Sequence, residues 1–400
     1  MKHSEILLDI NLLGNQEQAL RLNALTSAMV KASIPAAIIR TAANIYYLTG
    51  RVFRGFIYIA PGQPLRYFLR QPTTLHGDNI YLIRKPEDIP AAAAKGGFEI
   101  APVVAQELGD VPFSDAMRVA KALGTAAPSA DVTPLLKQVR SVKTAREQEL
   151  LRISGQKQSM VYERIPGLYR EGMSDIEFQI EIERASRLEG CLGQFRVAGA
   201  DMEIFMGNVL TGDNADAPSP YDFAMGGAGL DPSIPVGADG TIIVPGVPVM
   251  VDVNGNYTGY MTDMTRCFAA GEVSDKVKKA HQLSIDICDE LQRMMIPGAK
   301  ACDLYKRAED MAHRAGMADY FMGHRSHAGF VGHGVGIEIN ELPVIAPRSK
   351  NVLEAGNVIA LEPKFVLPHI GAVGIENTYI VREDAPAEVI TAAPREIIQL

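Results

Sequence analysis

Five side chains able to bind metal ions or transfer protons interrupt apolar or glycine-rich segments in the second half of the chain. They are Asp252, Asp263, His333, Glu362 and Glu376. An unpaired carboxylate in a protein interior is strongly unfavourable, so each acid needs a positively charged partner. If the four carboxylates and the imidazole converge, two divalent metal ions would satisfy them. An oxygen-rich ligand set suits Mn or Co, and Zn or Fe is tolerated.

Each of the five residues, taken alone, has a plainer interpretation. A single carboxylate in an apolar strand is more often salt-bridged or on an edge strand. A histidine between glycines, such as His333 in the run Gly332-His333-Gly334, is more often a turn residue. The joint pattern is what favours a metal centre over five unrelated structural residues.

The segments that must position these residues alternate between helical and strand patterns. Two pairs of glycines, Gly172 with Gly190 and Gly298 with Gly316, are both 18 residues apart, and each pair brackets a helical pattern. This match indicates two related halves, although such spacing also arises by chance. A sheet built from both halves and backed by four helices would place the strands around one central site. Helices are predicted over 144–164, 172–190, 274–295 and up to 316, and strands over 249–253, 261–268, 358–362 and 375–381.

The first 140 residues have the pattern of a separate, small α/β unit. Helical spacing over 16–31 precedes a short apolar strand over 34–39, and later strands flank the turn 61–64. A boundary is predicted near 134–144. There Thr144 and Glu147 form a capping-box pattern at the start of the next helix. We therefore expect an α+β or α/β protein with domains at 1–140 and 141–400.

Composition narrows the class of protein. The 400 residues carry a formal net charge of −8, are 47% hydrophobic, and include 4 cysteines. An acidic chain without a long basic run is a poor binder of nucleic acid or anionic membranes, and the size favours two domains. Sparse cysteine and the absence of a secretion pattern over 1–9 favour the cytoplasm. We expect no membrane span, because every long apolar stretch is interrupted by a charge or proline.

The order and spacing of these motifs resemble the creatinase, aminopeptidase P and prolidase family of pita-bread metallopeptidases. Asp252 is followed eleven residues later by Asp263-x-Thr265-Arg266, and then by Gly332-His333-Gly334-Val335-Gly336. Glu362-Pro363 and Ile375-Glu376-Asn377-Thr378 complete the pattern, and 44–50 and 139–143 resemble the amino-terminal domain and linker. The resemblance implies a small creatinase-type amino-terminal α/β domain and a pita-bread catalytic domain with pseudo-two-fold halves.

The resemblance also implies a role for each residue. Asp252 would chelate one of two metal ions, Asp263 and Glu376 would bridge both, and His333 and Glu362 would complete the shell of the other. A metal-bridging hydroxide would be the nucleophile, and Glu362 would carry its proton to the leaving amine. A short peptide or other small amide would be the substrate, and the chain would form a homodimer.

The sequence departs from the family at three positions. Family peptidases carry two further histidines that contact the substrate, where this chain has Asn340 and Ser219. No histidine lies between His76 and His281, so a shifted alignment does not supply one. An arginine that often precedes the last glutamate by two residues is replaced by Gly374.

Substitutes for the missing histidines lie nearby in the sequence. His324 and His327, just before the Gly-His-Gly turn, are candidate substrate-binding residues, although loop histidines are more often simple surface residues. Asn340, Ser219 and Tyr221 are weaker candidates. Asn340 can donate a hydrogen bond to a carbonyl but cannot carry a proton near neutral pH.

Three functions remain open on this sequence. The first is an Xaa-Pro aminopeptidase- or dipeptidase-like metallopeptidase that cuts dipeptides or short peptides. The second is a metal-dependent hydrolase of a non-peptide C–N or amide bond, as creatinase-like relatives are. The third is a non-catalytic binding protein, which the retention of all five ligand residues disfavours.

Overall fold

The computed structural model describes residues 8–197, 199, 204–221 and 225–400. Residues 1–7, which carry most of the segment judged for a secretion pattern, lie outside this part of the chain. The protein divides into two compact units, Met1–Arg140 and Ser141–Leu400. None of the helices in the described ranges is long and apolar enough to cross a membrane.

The first unit is built around one mixed sheet of five strands in the order β6-β4-β3-β2-β7. The central strands β2, β3 and β4 pair antiparallel, and the outer strands β6 and β7 pair parallel. Apolar residues such as Ile38, Phe56 and Phe68 form its core beneath helices on the sheet. Its elements are β1 Leu8–Asp9, α1 Asn15–Lys31, β2 Ala37–Ile39, α2 Ala42–Thr49, β3 Gly55–Ile59, β4 Arg66–Arg70, β5 Leu75–His76, β6 Ile80–Ile83, α3 Ile89–Lys95, β7 Ala105–Gln106, α4 Phe113–Ala122 and α5 Thr133–Ser141.

Two pairs of consecutive helices frame the second unit. In the first pair, Thr144 and Ser174 cap the helices, and each forms a reciprocal capping box with the glutamate three residues on. Ser274 caps the first helix of the second pair. The helices are α6 Ala145–Arg164, α7 Asp175–Leu188, α8 Asp275–Met294 and α9 Ala301–Arg314. The four predicted helices are therefore present, with ends within a few residues of the expected ones.

Two larger sheets and a hairpin occupy the middle of the second unit. One sheet has the order β20-β12-β9-β8, the other β14-β13-β15-β18-β19, and β16 pairs with β17 alone. Helix α7 packs against β8, α8 against β16 and β17, and α9 against β14, while β17 also packs against β9. The strands are β8 Gly207–Thr211, β9 Pro248–Val253, β10 Gly255–Asn256, β11 Met261–Thr262, β12 Thr265–Ala269, β13 Gly332–Gly334, β14 Glu341–Ile345, β15 Val358–Leu361, β16 Lys364–Leu367, β17 Gly371–Gly374, β18 Asn377–Ile380, β19 Glu388–Val389 and β20 Ile398–Gln399.

One strand prediction is wrong in detail. The segment 261–268 is not a single strand, because the chain leaves β-structure at Asp263 and Met264 between β11 and β12. The hydroxyl of Tyr162, on α6, donates a short hydrogen bond to the Met264 carbonyl and so takes the place of a strand partner there. This break lets Asp263 turn away from the strand direction.

Candidate metal centre

The two larger sheets deliver the five predicted residues to one place. Asp252 lies on β9 and pairs with Thr265 on the neighbouring strand β12. Asp263 lies in the break just before β12. In the other sheet, His333 on β13 lies directly opposite Ala360 on β15. Glu362 follows Ala360 by two residues. Glu376 precedes β18 directly, where Thr265 and Glu376 exchange backbone hydrogen bonds. This last contact joins the two sheets at the cluster.

His333 is oriented as a metal ligand would be. Its Nδ1 lies 3.1 Å from the Gly334 carbonyl oxygen, which can only accept, so Nδ1 carries the proton. Its Nε2 is left to face the acids, 3.4 Å from Glu362 Oε1 and 3.9 Å from Asp263 Oδ2. A second hydrogen bond that fixes the tautomer and the ring plane is the usual support of a metal-binding histidine.

Lys364 is a member of the cluster that the sequence analysis did not predict. Its side chain is 0% exposed, and its Nζ lies 2.8 Å from Asp252 Oδ2 and 2.7 Å from Glu362 Oε2. A third acid, Glu376, accepts from the same ammonium at 3.2 Å. An ammonium has three hydrogens, and here each has a carboxylate acceptor.

Gly374 is what makes room for the lysine stem. Strand β16 pairs with β17 so that Lys364 and Gly374 are directly opposite. A Cβ at position 374 would lie 2.7 Å from the Pro363 carbonyl oxygen, 2.9 Å from Lys364 Cα and 3.1 Å from Lys364 Cγ. Any larger residue at 374 would therefore collide with the backbone and the lysine together.

Glu376 has one oxygen engaged and one unengaged. Its Oε2 accepts from the Thr265 hydroxyl at 2.7 Å as well as from Lys364. Its Oε1 is buried and has no hydrogen-bond partner among the described atoms. A buried carboxylate oxygen without a partner is costly, so this atom marks a position that a cation would satisfy.

The titration behaviour of the acids follows from their crowding. Burial, and then the neighbouring charge of Glu362, raises the pKa of Glu376 to about 8. Burial likewise raises the pKa of Asp263 well above its usual range, with Glu376 adding to the effect. For Glu362, burial also acts upward, but Lys364 and His333 outweigh it and hold the pKa at about 2. One lysine does not neutralise four buried carboxylates.

Two buried side chains support the cluster from behind. Arg266, on β12, is 0% exposed and donates to the backbone carbonyls of Thr265 and Glu376 at 2.7 and 2.8 Å. Asn254 follows β9, and with its amide nitrogen turned toward Asp263 it donates to both carboxylate oxygens, at 3.0 and 2.5 Å. These contacts fix the acids before any ligand binds.

The acids and the imidazole fall into two groups that could each hold an ion. Atoms of Asp263, His333 and Glu376 lie within 4.8 Å of one another, and so do atoms of Asp252, Glu362 and Glu376. The first group contains the imidazole with a free ring nitrogen and fits a divalent ion. The second group is the one in which Lys364 already contacts all three carboxylates.

Four of the predicted substrate-binding residues line one cleft of about 80 Å³: Ser219, Tyr221, His324 and His327. Val366, two residues after Lys364 on β16, also lines it. Residues 222–224, which follow Tyr221 in the chain, lie outside the described residues. The structure thus brings these four residues together beside the strand that carries Lys364.

The polar side chains in this cleft differ in how many of their hydrogen-bonding atoms already have a partner in the protein. His327 donates from Nδ1 to the Phe321 carbonyl at 3.0 Å, so its Nε2 can accept. His324 Nδ1 is bound to Asp216 at 2.9 Å, and the hydroxyl of Ser219 donates to the Pro235 carbonyl at 2.9 Å. His327 is therefore the better placed to accept a proton or hydrogen bond from a bound molecule.

Asn340 is not among the residues that line this cleft. It is half-buried in the loop that runs from β13 to β14. The same loop is held by Glu341, which accepts from the backbone of Ile337 and Glu338 and pairs with buried Lys143 at 3.0 Å.

Two signals in the sequence could have revealed Lys364. Glu362 and Lys364 are two residues apart at the start of a strand, so their side chains point to the same face. A lysine in the otherwise apolar run from Phe365 to Leu367 also needs a partner when buried. For Asn254 and Tyr162 the sequence carries no comparable signal.

Comparison with known proteins assigns both units. Residues 149–383 match the model of metallopeptidase family M24, and residues 21–142 match the creatinase/prolidase N-terminal domain. The chain is 27% identical over 398 residues to a putative dipeptidase of Bacillus subtilis, covering 95% of this chain and 99% of that one. It is 31% identical over 150 residues to an Xaa-Pro dipeptidase of Pyrococcus furiosus, covering 38% of this chain and 41% of the relative.

The fold agrees with these sequence matches. The solved structure of an Xaa-Pro dipeptidase from Bacillus anthracis superposes with a TM-score of 0.78 at 24% identity, covering 96% of this chain and all of that one. The predicted family and the predicted combination of a creatinase-type amino-terminal domain with a pita-bread catalytic domain are thereby confirmed. The chain belongs to metallopeptidase family M24 and carries a creatinase/prolidase N-terminal domain ahead of its catalytic domain.

Proposed function

We propose that the protein is a metal-dependent peptidase that hydrolyses dipeptides or short peptides with proline after the scissile bond. The observation that carries this proposal is the buried cluster in which His333 Nε2, Glu362 and Asp263 face one another beside the partnerless oxygen of Glu376. Two of the similar proteins bear the name Xaa-Pro dipeptidase, one from Pyrococcus furiosus and one from Bacillus anthracis, which supports the substrate class.

The residues that would hold a divalent ion are those with ligand atoms left open. We propose Asp263, His333, Glu362 and Glu376 for this role, with Mn or Co as the ion and Zn or Fe as alternatives. When bound, such an ion lowers the pKa of a coordinated water and polarises the scissile carbonyl. The sequence predicts a second ion coordinated partly by Asp252, and that number of ions stays a prediction.

Glu362 is the residue we propose as the catalytic acid and base. In the metal-free cluster its pKa of about 2 leaves it ionised near neutral pH, which is the form that a general base requires. The same group would return the proton to the leaving amine. Its Oε2 is held by Lys364 at 2.7 Å, which fixes the carboxylate while Oε1 faces His333.

Substrate contacts are proposed for the cleft beside β16. The imidazoles of His324 and His327 and the hydroxyl of Tyr221 line it, with Ser219 supporting the wall through its bond to Pro235. Asn340 remains a proposed contact from its position in the family motif. A homodimer and a cytoplasmic location are proposed on the family resemblance and the sparse cysteines.

A second candidate function is hydrolysis of a non-peptide C–N or amide bond. It is favoured by Asn340 and Ser219, which stand where the family's substrate-contacting histidines are expected and cannot take up a proton near neutral pH. The match to metallopeptidase family M24 disfavours the third candidate, a binding protein without catalysis.

A substrate panel with defined metals tests these candidates. Apoprotein is reconstituted separately with Mn²⁺, Co²⁺ and Zn²⁺ and assayed with Xaa-Pro dipeptides, other dipeptides and small non-peptide amides. We expect metal-dependent release of proline, and abolished release in Asp263→Ala. Cleavage of another amide without any Xaa-Pro turnover would establish the second function instead. No turnover and no bound metal would support the binding protein.

A further inference from the structure

Lys364 occupies the acidic group that would otherwise be a second metal position. Its three hydrogen bonds run to Asp252, Glu362 and Glu376, the same three residues that form one of the two potential ion sites. The bonds to Asp252 and Glu362, 2.8 and 2.7 Å long, have the length of charge-assisted hydrogen bonds, and the bond to Glu376 is longer at 3.2 Å. No hydrogen on Nζ is left over. The ammonium therefore already supplies a cation to these three carboxylates.

Packing around Lys364 restricts its side chain. Its side chain is 0% exposed, and the backbone of Lys364 exchanges contacts with Met322, whose N–H donates to the Lys364 carbonyl at 2.8 Å. On the other side, Gly374 lies so close that even a methyl group there would touch the lysine stem at 3.1 Å. The lysine stem is therefore tightly packed on both sides.

The carboxylates divide their oxygens between the lysine and the remaining site. Glu362 turns Oε2 to Lys364 and Oε1 to His333. Glu376 turns Oε2 to Lys364 and keeps Oε1, which has no partner among the described atoms. Ligand atoms of Asp263, His333 and Glu376 lie within 4.8 Å of one another, and Glu362 Oε1 is 3.4 Å from the same imidazole nitrogen, so these four residues surround one candidate ion position.

Repulsion from the ammonium also opposes a second ion. Four carboxylates, one ammonium and one dication leave a single negative charge in the buried cluster. A second dication would make the same cluster positive and would bring it next to the ammonium, a repulsion that a low-dielectric interior strengthens.

We propose that the ammonium of Lys364 replaces one metal ion of a dinuclear centre, so that the protein holds a single divalent ion at Asp263, His333, Glu362 and Glu376. This inference rests on the proposed metal-dependent function and changes its ion count. In this centre Asp252 is a partner of Lys364 and not a metal ligand. Lys364 is a positioning residue, since it is buried from any substrate.

Metal stoichiometry tests the proposal without recourse to activity. Purified full-length apoprotein is titrated with Mn²⁺ by calorimetry, and the bound metal is counted by elemental analysis after dialysis. We expect one Mn²⁺ per chain for the wild type and two for Lys364→Ala, in which three carboxylates lose their ammonium. Lys143→Ala is the matched control, because Lys143 is also buried and paired with an acid, Glu341, outside the cluster. It is expected to keep one ion.

The outcomes separate the two proposals. Two ions in the wild type would overturn the role of Lys364 and leave a metallopeptidase standing, whereas no bound ion would overturn the metal-dependent function itself. A folded Lys364→Ala protein that still binds one ion would also contradict the inference. If that variant does not fold, the electron paramagnetic resonance spectrum of Mn²⁺-loaded wild type decides. An isolated Mn²⁺ signal is expected, and a spin-coupled pair would refute the proposal.

Discussion

At the scale of single residues, the cluster separates side chains that face an ion position from those that face Lys364. His333 presents an open Nε2, whereas Asp252 uses an oxygen to accept from the ammonium and is the most exposed of the four acids. Loss of a direct ligand and loss of a supporting contact should therefore differ in size. This difference gives the first prediction.

We expect His333→Ala to weaken Mn²⁺ binding by more than ~100-fold and Asp252→Asn by ~10- to 100-fold, the loss usual for residues that support metal ligands. Isothermal titration of both variants measures the two affinities. Asp213→Asn serves as the control, because that carboxylate is exposed and pairs with His369, outside the cluster. Equal losses in His333→Ala and Asp252→Asn would make Asp252 a direct ligand.

The residues of the cluster were predictable to different degrees. The four acids and His333 stand out in sequence because each interrupts an apolar or glycine-rich run. Lys364 does not, because its partner Asp252 is 112 residues away and only the packed sheets bring them together. The hydrogen bonds that engage one oxygen of Glu376 and leave the other without a partner are likewise fixed only by the fold.

At the scale of elements, helix α8 packs against the β16–β17 hairpin, and its residue His281 contacts the carboxyl-terminal segment. The ring Nε2 donates to the Arg395 carbonyl at 2.7 Å, and Nδ1 is buried without a partner among the described atoms. Burial lowers the pKa of His281 below its usual 6.5. Protonation in the folded state would place a second N–H where nothing described accepts it.

This burial predicts a contribution of His281 to the pH dependence of stability that is opposite in sign to those of Glu376 and Asp263, whose raised pKa values favour the folded apoprotein in acid. Below pH 6.5 the unfolded chain binds a proton at His281 that the folded protein does not bind, so the contribution of His281 to the free energy of unfolding falls as pH decreases. The contribution of this one group is at most ~1.4 kcal/mol per pH unit. Urea denaturation of apoprotein at pH 5 to 7.5 measures the slope, and His281→Gln is expected to make it less positive.

His313→Gln is the matched control, since His313 is exposed near the end of α9. It should leave the slope unchanged. An identical slope in wild type and His281→Gln would contradict this contribution of His281.

Helix starts were predictable from local sequence, whereas strand breaks were not. Thr144 and Glu147 are three residues apart and form the capping box that their spacing indicates. The break at Met264 depends on a hydrogen bond from Tyr162, 102 residues earlier. Local patterns predict where an element begins, but not a break that a residue distant in sequence imposes.

At the scale of the whole molecule, every proposed metal ligand belongs to the unit Ser141–Leu400. An ion that binds only the folded state stabilises it by mass action, by ~2.7 kcal/mol at a concentration 100 times its dissociation constant. We expect Mn²⁺ to raise the free energy of unfolding of this unit and EDTA to reverse the change. Hydrogen exchange should show added protection in peptides from 141–400.

The same measurement on His333→Ala provides the control, because that variant lacks a proposed ligand but keeps the remaining acids. Protection by Mn²⁺ that is undiminished in His333→Ala would place the ion elsewhere. Equal added protection across 8–140 would show that the ion does not act through the cluster alone.

The contact between Gly374 and Lys364 makes the outcome of mutation depend on its order. A side chain introduced at 374 while Lys364 is present meets the backbone and the lysine stem within 3.1 Å. Shortening Lys364 first removes one of those obstacles, although the Pro363 carbonyl at 2.7 Å remains. Changing 364 first therefore gains space for a larger residue at 374, but the backbone at Pro363 and at the Cα of residue 364, 2.9 Å away, must still shift to accept it.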